Sequence, residues 1–136
     1  MDFNEYQKKA HETAIYPTEI GLTLPMNSTG YMPYSKLSWI YPALGLAGES
    51  GELLNKLKKV IRDQNGIIST GEEGEMGEPI GIQYDDIFKE IGDILWYCAE
   101  LATIFNVELD TIALANINKL AIRAKRNQIT GSGDSR

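Results

Sequence analysis

The sequence predicts an all-α fold, a bundle of four helices, on three observations. Four stretches, about 2–15, 37–64, 84–105 and 108–126, repeat apolar residues at the three-and-four spacing of a helix face. The segments between the first three carry four of the five prolines and many of the glycines, which end helices. Two carboxylate pairs, Glu49 with Glu52 and Glu90 with Asp93, stand three residues apart on the second and third stretches. That spacing puts both members of a pair on one side of their helix, one turn apart.

A chain of 136 residues is expected to make one domain, here 1–127 followed by a short tail at 128–136. It can bury a core without disulfides or structural zinc. A single cysteine excludes an intrachain disulfide and any multi-cysteine metal site, which fits a reducing cytoplasm. The opening Met1-Asp2-Phe3-Asn4-Glu5 is no signal peptide, and no apolar run approaches transmembrane length, so no membrane partner is expected. A net charge of −6 and a pI near 4.8 argue against binding a nucleic-acid polymer through its backbone. An acidic protein that binds a small polyanion needs metal ions or a local basic cluster, and the chain offers candidates for both.

In the first stretch, Asp2 followed by Glu5 reads as a capping box, and Phe3, Tyr6, Ala10, Thr13 and Ala14 form a partly apolar stripe that Tyr16-Pro17 ends. Residues 17–35 hold three prolines and two glycines and read as a long loop. It reads either as a cover over a ligand, using Asn27, Tyr31, Tyr34 or the nearby Trp39, or as a surface excursion whose aromatics pack down. The second helix takes Pro42 in its first turns or at a kink. Leu53, Leu54, Leu57, Val60 and Ile61 are its expected core stripe, and Glu49, Glu52, Lys56, Lys59 and Asp63 share another face. Gly45, Gly48 and Gly51 are poor helix formers, so their presence points to close approach by another helix or a ligand.

Residues 65–83 read as an acidic insertion, a loop in which Ile67-Ile68 and Ile80-Gly81-Ile82 could pair as a short hairpin. Its glutamates read as solvated. The third helix is expected to take Asp85 as N-cap and to bury Ile91, Ile94, Leu95, Cys98, Leu101 and Phe105. Glu90, Asp93, Tyr97 and Glu100 form its opposite stripe. On the fourth helix Leu109, Ile112, Ala113 and Leu120 face the core, while Asn116, Lys119, Arg123 and Arg126 make a basic strip. That strip either meets phosphates or solubilises a helix end that favours cations. The Gly/Ser-rich tail reads as flexible, and such backbone can also form an anion nest.

Two such carboxylate pairs on neighbouring helices would gather four like charges, and a hard divalent cation with oxygen ligands relieves their repulsion. Glu-x-x-Glu, a spacer and Glu-x-x-Asp resemble the signature of the MazG-like all-α nucleoside triphosphate pyrophosphohydrolases. Gly45-Leu46-Ala47-Gly48-Glu49-Ser50-Gly51-Glu52 resembles the first metal helix of that family, and Asn116-Ile117-Asn118-Lys119-Leu120 its phosphate-side helix. The ending Gly131-Ser132-Gly133-Asp134-Ser135-Arg136 resembles the tail of phage-encoded, single-domain members. The resemblance implies cleavage of a nucleoside triphosphate between its α and β phosphates, giving a monophosphate and pyrophosphate. It implies two or more Mg²⁺ ions, replaceable by Mn²⁺, held by Glu49, Glu52, Glu90 and Asp93, with Glu49 the first choice as the base that accepts the proton of the attacking water. Lys56, Tyr97, Asn116, Lys119 and Arg123 are then expected at the phosphates, and Asn27 and Trp39 near base and sugar. A homodimer or dimer of dimers, placed in the host cytoplasm if phage-encoded, follows from the same likeness, and a guanine nucleotide, dGTP or GTP, is the first expected substrate.

Rival readings are an all-α dUTPase-like enzyme with a narrower base pocket, a phosphoribosyl-ATP pyrophosphohydrolase, and a non-catalytic helical interaction module. A di-iron carboxylate bundle would need Glu-x-x-His motifs, and the chain has none. With His11 the sole histidine, a Ser-His-Asp or Cys-His arrangement would have to use that residue.

Overall fold

The computed structural model describes residues 1–16, 38–68 and 81–126. Four helices account for most of them: α1 (Phe3–His11), α2 (Ile40–Asp63), α3 (Tyr84–Ile104) and α4 (Leu109–Lys125). The fold is all-α, as the helical spacing predicts. None of these helices is long and apolar enough to cross a membrane. Asn27, the 17–35 loop, Ile80, most of the acidic insertion and the 128–136 tail lie outside the described residues.

α2 and α3 form the principal packed pair, α1 lies on α3, and α4 makes its main contact with α1. Local chemistry sets most of the helix ends. Asp2, in an extended conformation, accepts a hydrogen bond from the Glu5 N–H at 2.7 Å, satisfying one donor at the start of α1. Pro42 sits in the first turn of α2, where its missing N–H costs nothing, and it is fully buried. α3 begins differently from the expectation. Gln83 rather than Asp85 is the N-cap, and the Asp86 carboxylate reaches back to the Gln83 N–H at 3.1 Å in a capping box. α3 ends in a Schellman turn, with the Val107 N–H on the Ala102 carbonyl at 2.9 Å and the Asn106 N–H on Thr103 at 3.0 Å. That turn needs a left-handed residue, and Asn106 takes it with φ of 53°.

The start of α4 is capped across the chain. Glu108 makes no side-chain cap bond. Instead Gln7 Oε1 accepts from the Leu109 N–H at 2.8 Å and Asn4 Oδ1 from the Asp110 N–H at 3.1 Å. Gln7 Nε2 also donates to the Val107 carbonyl at 3.0 Å and to Thr103 Oγ1 at 3.1 Å. Two polar side chains of α1 thus clamp the α3–α4 corner. After α2, the Gln64 side chain ties Ile67 to Ile82, accepting from Ile82 N–H at 2.8 Å and donating to the Ile67 carbonyl at 3.1 Å. Gly81 has φ of 74°, a backbone that favours glycine, and a Cβ there would also displace that amide.

One buried apolar cluster joins Ala10, Ala99, Ala102 and Leu109, covered by Tyr6, Leu95 and Trp96. Val60 of α2 and Ile87 of α3 are buried elsewhere. Several residues expected in the core lie outside it. Leu54 and Ile61 on α2 are 65% and 71% exposed, and Ile91, Phe105, Ile112 and Leu120 are also exposed. Each is on an apolar stripe, but the stripes are wider than the faces that neighbouring helices cover in one chain. Glu100 departs in the other direction: placed by spacing on the polar stripe opposite the expected core side, it is fully buried.

Candidate functional site

The two carboxylate pairs meet where α2 packs on α3. Glu49, Glu52 and Glu90 each bring a carboxylate oxygen to within 4.8 Å of the other two. Glu90 is buried, Glu49 is half-buried and Glu52 is exposed, so the cluster opens to solvent on the Glu52 side. Asp93, one turn beyond Glu90, stands next to this trio. It shares with Glu49, Thr13, Trp96 and Tyr97 the lining of a cavity of about 280 Å³. Loss of solvent pushes the Glu49 carboxyl above the ordinary carboxylate range, and the charges of Glu52, Asp93 and Glu90 push it further in the same direction. A set of carboxylate oxygens this close, with repulsion to relieve and one open side, fits a hard cation such as magnesium.

Lys56 is drawn into the cluster from one turn along α2. Its Nζ lies 2.6 Å from Glu90 Oε1 and donates to the Asp86 carbonyl at 3.0 Å. The bond to Glu90 holds the ammonium above its ordinary pKa. Its partners are thus a candidate metal ligand and the first turn of α3. Tyr97 is placed by Gly45. A methyl at that position would lie inside the Tyr97 ring, so the expected close approach is α3 against α2 at Gly45. Gly48 and Gly51 face open space instead. Tyr97 meets Trp96 edge-on at 4.9 Å, and burial, then the neighbouring Tyr41, push its phenol pKa up.

The wall of the cavity continues into α1, which the sequence did not connect with the site. The Trp96 indole N–H lies 2.8 Å from Thr13 Oγ1 and 3.2 Å from the Ala10 carbonyl, fastening the end of α1 to α3. Tyr16 stacks on Tyr41 at 4.7 Å between ring centres, and its hydroxyl donates to Glu100 Oε2 at 2.6 Å. Burial, and then that bond, push the Tyr16 phenol pKa up. His11 Nδ1 lies 3.2 Å from the same Glu100 oxygen. Thr13 and Trp96 are therefore neighbours of the carboxylates, and Tyr41 stands behind them beside Tyr16 and Tyr97. Trp96 had a local signal, since it follows Asp93 by three residues on the same helix face; Thr13 and Tyr41 had none.

The basic strip of α4 is not brought to the carboxylates within one chain by any principal helix contact, because α4 packs chiefly on α1. Asn116 and Lys119 are exposed, whereas Arg123 is buried rather than part of an open polar face. Trp39 ends up as the N-cap residue of α2, 41% exposed. Cys98 is half-buried, and burial alone pushes its thiol pKa up, as expected of a core cysteine.

Four helices with a carboxylate cluster at the contact of two of them define an all-α protein with a candidate divalent-metal centre. The model of the MazG nucleotide pyrophosphohydrolase domain matches residues 42–127, which span α2, α3 and α4, and the chain belongs to that family. It is 36% identical over 137 residues to the Gene 37 protein of Mycobacterium phage L5, with the whole of each chain covered. No solved structure matches it.

Proposed function

We propose that this chain hydrolyses a nucleoside triphosphate to the monophosphate and pyrophosphate, with Mg²⁺ held by Glu49, Glu52, Glu90 and Asp93. The observation that carries this reading is the convergence of Glu49, Glu52 and Glu90 oxygens within 4.8 Å at the contact of two helices. Membership of a nucleotide pyrophosphohydrolase family supplies the reaction class. Magnesium, when bound, would supply charge neutralisation at the phosphates and a more acidic water.

The remaining roles belong to side chains of the chain. Lys56 fixes the Glu90 carboxylate and neutralises part of its charge. Glu49, whose carboxyl is the one pushed toward holding a proton, is suited to take the proton of an attacking water. Tyr97, expected at the phosphates, instead forms with Trp96 an aromatic wall beside the carboxylates, against which base or sugar can lie while the phosphates reach the metals. The expected substrate is a guanine nucleotide, dGTP or GTP. Asn116 and Lys119, both exposed, would meet the phosphates from a second copy of the chain, in a homodimer or dimer of dimers, whereas Arg123 is buried. The exposed apolar residues Leu114 and Ile117 of α4 and Leu54 and Ile61 of α2 suit such an interface.

A hydrolysis panel over the common NTPs and dNTPs with magnesium or manganese, with products identified, tests the reading. Monophosphate plus pyrophosphate is the expected outcome, with dGTP or GTP turned over fastest. Diphosphate plus orthophosphate would refute the cleavage position. No turnover with either metal would favour the interaction module.

A further inference from the structure

Glu100 is fully buried, and a buried carboxylate has to be explained. Taking the charge out of water costs several kcal/mol unless good partners compensate, and a well-packed apolar residue often serves stability as well or better. Two of its partners are far away in sequence and come from the end of α1 and the residues just after it: the Tyr16 hydroxyl at 2.6 Å and His11 Nδ1 at 3.2 Å. Neither lies in the residues matched by the family model, which begin at 42.

The two partners do not end at Glu100. The Tyr16 ring lies flat on Tyr41, 4.7 Å between centres and 13° between planes. Tyr41 stands close enough to Tyr97 for the two phenols to influence each other, and Tyr97 lines the cavity beside Glu49 and Asp93. The same segment carries Thr13, which lines that cavity directly and is held by the Trp96 indole. One buried carboxylate on α3 therefore anchors the stretch of chain that reaches the cavity along two routes.

We propose that Glu100 is a positioning residue for the nucleoside end of the pocket, acting through Tyr16. It holds the end of α1 against α3, so that Thr13 and the Tyr16–Tyr41–Tyr97 series form one fixed wall. The wall meets base and sugar, and the carboxylate cluster meets the phosphates. This assignment rests on the nucleotide reading of the site above. It makes nucleoside recognition depend on Glu100, which itself touches neither metal nor substrate, and it separates affinity for the nucleoside from cleavage.

Tyr16→Phe removes the hydroxyl and keeps the stacked ring. It should raise KM for the best substrate by about tenfold, the size of one hydrogen bond to a charged group, with kcat within about twofold. The Ki of inorganic tripolyphosphate, which has phosphates but no nucleoside, should not move. Glu100→Gln keeps an oxygen for Tyr16 and should recover most of the affinity that Glu100→Leu loses. An unchanged nucleotide KM in Tyr16→Phe, or an equal loss for tripolyphosphate, would overturn the proposal.

Calorimetric titration with the four common dNMPs in magnesium separates this proposal from the reaction it rests on. If the wild-type chain binds a dNMP, Tyr16→Phe weakens that binding and no triphosphate is cleaved, the positioning role stands and the pyrophosphohydrolase reading falls. If triphosphate is cleaved and Tyr16→Phe changes neither KM nor dNMP binding, the pyrophosphohydrolase reading stands and the positioning role falls. A chain that neither binds a dNMP nor turns over a triphosphate refutes both.

Discussion

The α2–α3 pair and α4 carry opposite charges and stand in opposite relation to the rest of the chain. α2 and α3 pack along their length and bring Glu49, Glu52 and Glu90 together. α4 is fixed mainly at its first turn, where Asn4 and Gln7 of α1 cap Leu109 and Asp110, and most of its later residues are exposed. The acidic half of the proposed site is therefore assembled within one chain, and Asn116 and Lys119 of the basic strip are presented outward. The contrast teaches that matching charge on two helices does not make them neighbours. What joins them has to be a packing face, and α4 has most of its apolar side chains uncovered.

The largest expected effect lies on the acidic side. Glu52→Gln and Asp93→Asn remove a carboxylate from the cluster and from the adjoining cavity without touching the buried core. Each should lower kcat roughly 10³-fold, as loss of a metal-bound charge does, with an unchanged far-ultraviolet circular dichroism spectrum. Full activity in either variant would remove that residue from the site.

The basic side sharpens the comparison. Lys119→Ala should raise KM for the triphosphate about tenfold, while a monophosphate loses less affinity. If α4 of one copy serves the carboxylates of another, the two kinds of defect should complement. Mixing inactive Glu52→Gln with Lys119→Ala under exchanging conditions gives heterodimers for about half of the population. In each heterodimer one of the two sites draws an intact cluster from one chain and an intact strip from the other, so about a quarter of wild-type activity at low substrate should appear. Activity no greater than the sum of the separate proteins would place Lys119 in its own chain's site, or in none.

How much of this was legible follows from the distance over which each feature is decided. Helix existence, the Asp2 cap and the Glu-x-x-Glu pair are decided within a few residues, and the structure follows the sequence there. Asp85 looked like a cap because aspartate is a good one, yet α3 starts earlier, with Asp86 serving as the box partner of Gln83. Glu100 shares the stripe of Glu90, Asp93 and Tyr97 by spacing. One helix face can pass under α2 at one end and under the end of α1 at the other, so the stripe says nothing about which member is buried. Leu54 and Ile61 show the same limit in reverse: apolar periodicity marks a face that suits burial, not whether the chain itself supplies the cover. Caps from far along the same chain, such as Gln7 on Leu109, leave no local mark at all.

The smallest expected effect concerns the cost of assembling the acidic half. Glu49 is pushed above its ordinary pKa, first by loss of solvent and then by Glu52, Asp93 and Glu90. For a group whose pKa is raised on folding, the stabilising contribution is present below the unfolded value and is lost as pH rises through the folded one. At neutral pH the charged Glu49 therefore opposes folding of the metal-free chain. Glu49→Gln should raise the melting temperature of chelator-treated protein at pH 7.5, by roughly a few degrees at most. The gain should vanish at a pH below the ordinary carboxylate range, where Glu49 is protonated in both states. Magnesium should stabilise the wild-type chain at pH 7.5 more than the variant, because the cation relieves a repulsion that the variant lacks. Equal melting temperatures of the two proteins at pH 7.5 would mean that the helix contact between α2 and α3 carries no electrostatic penalty at Glu49, and that the cluster gives up less than its geometry implies when it meets a cation.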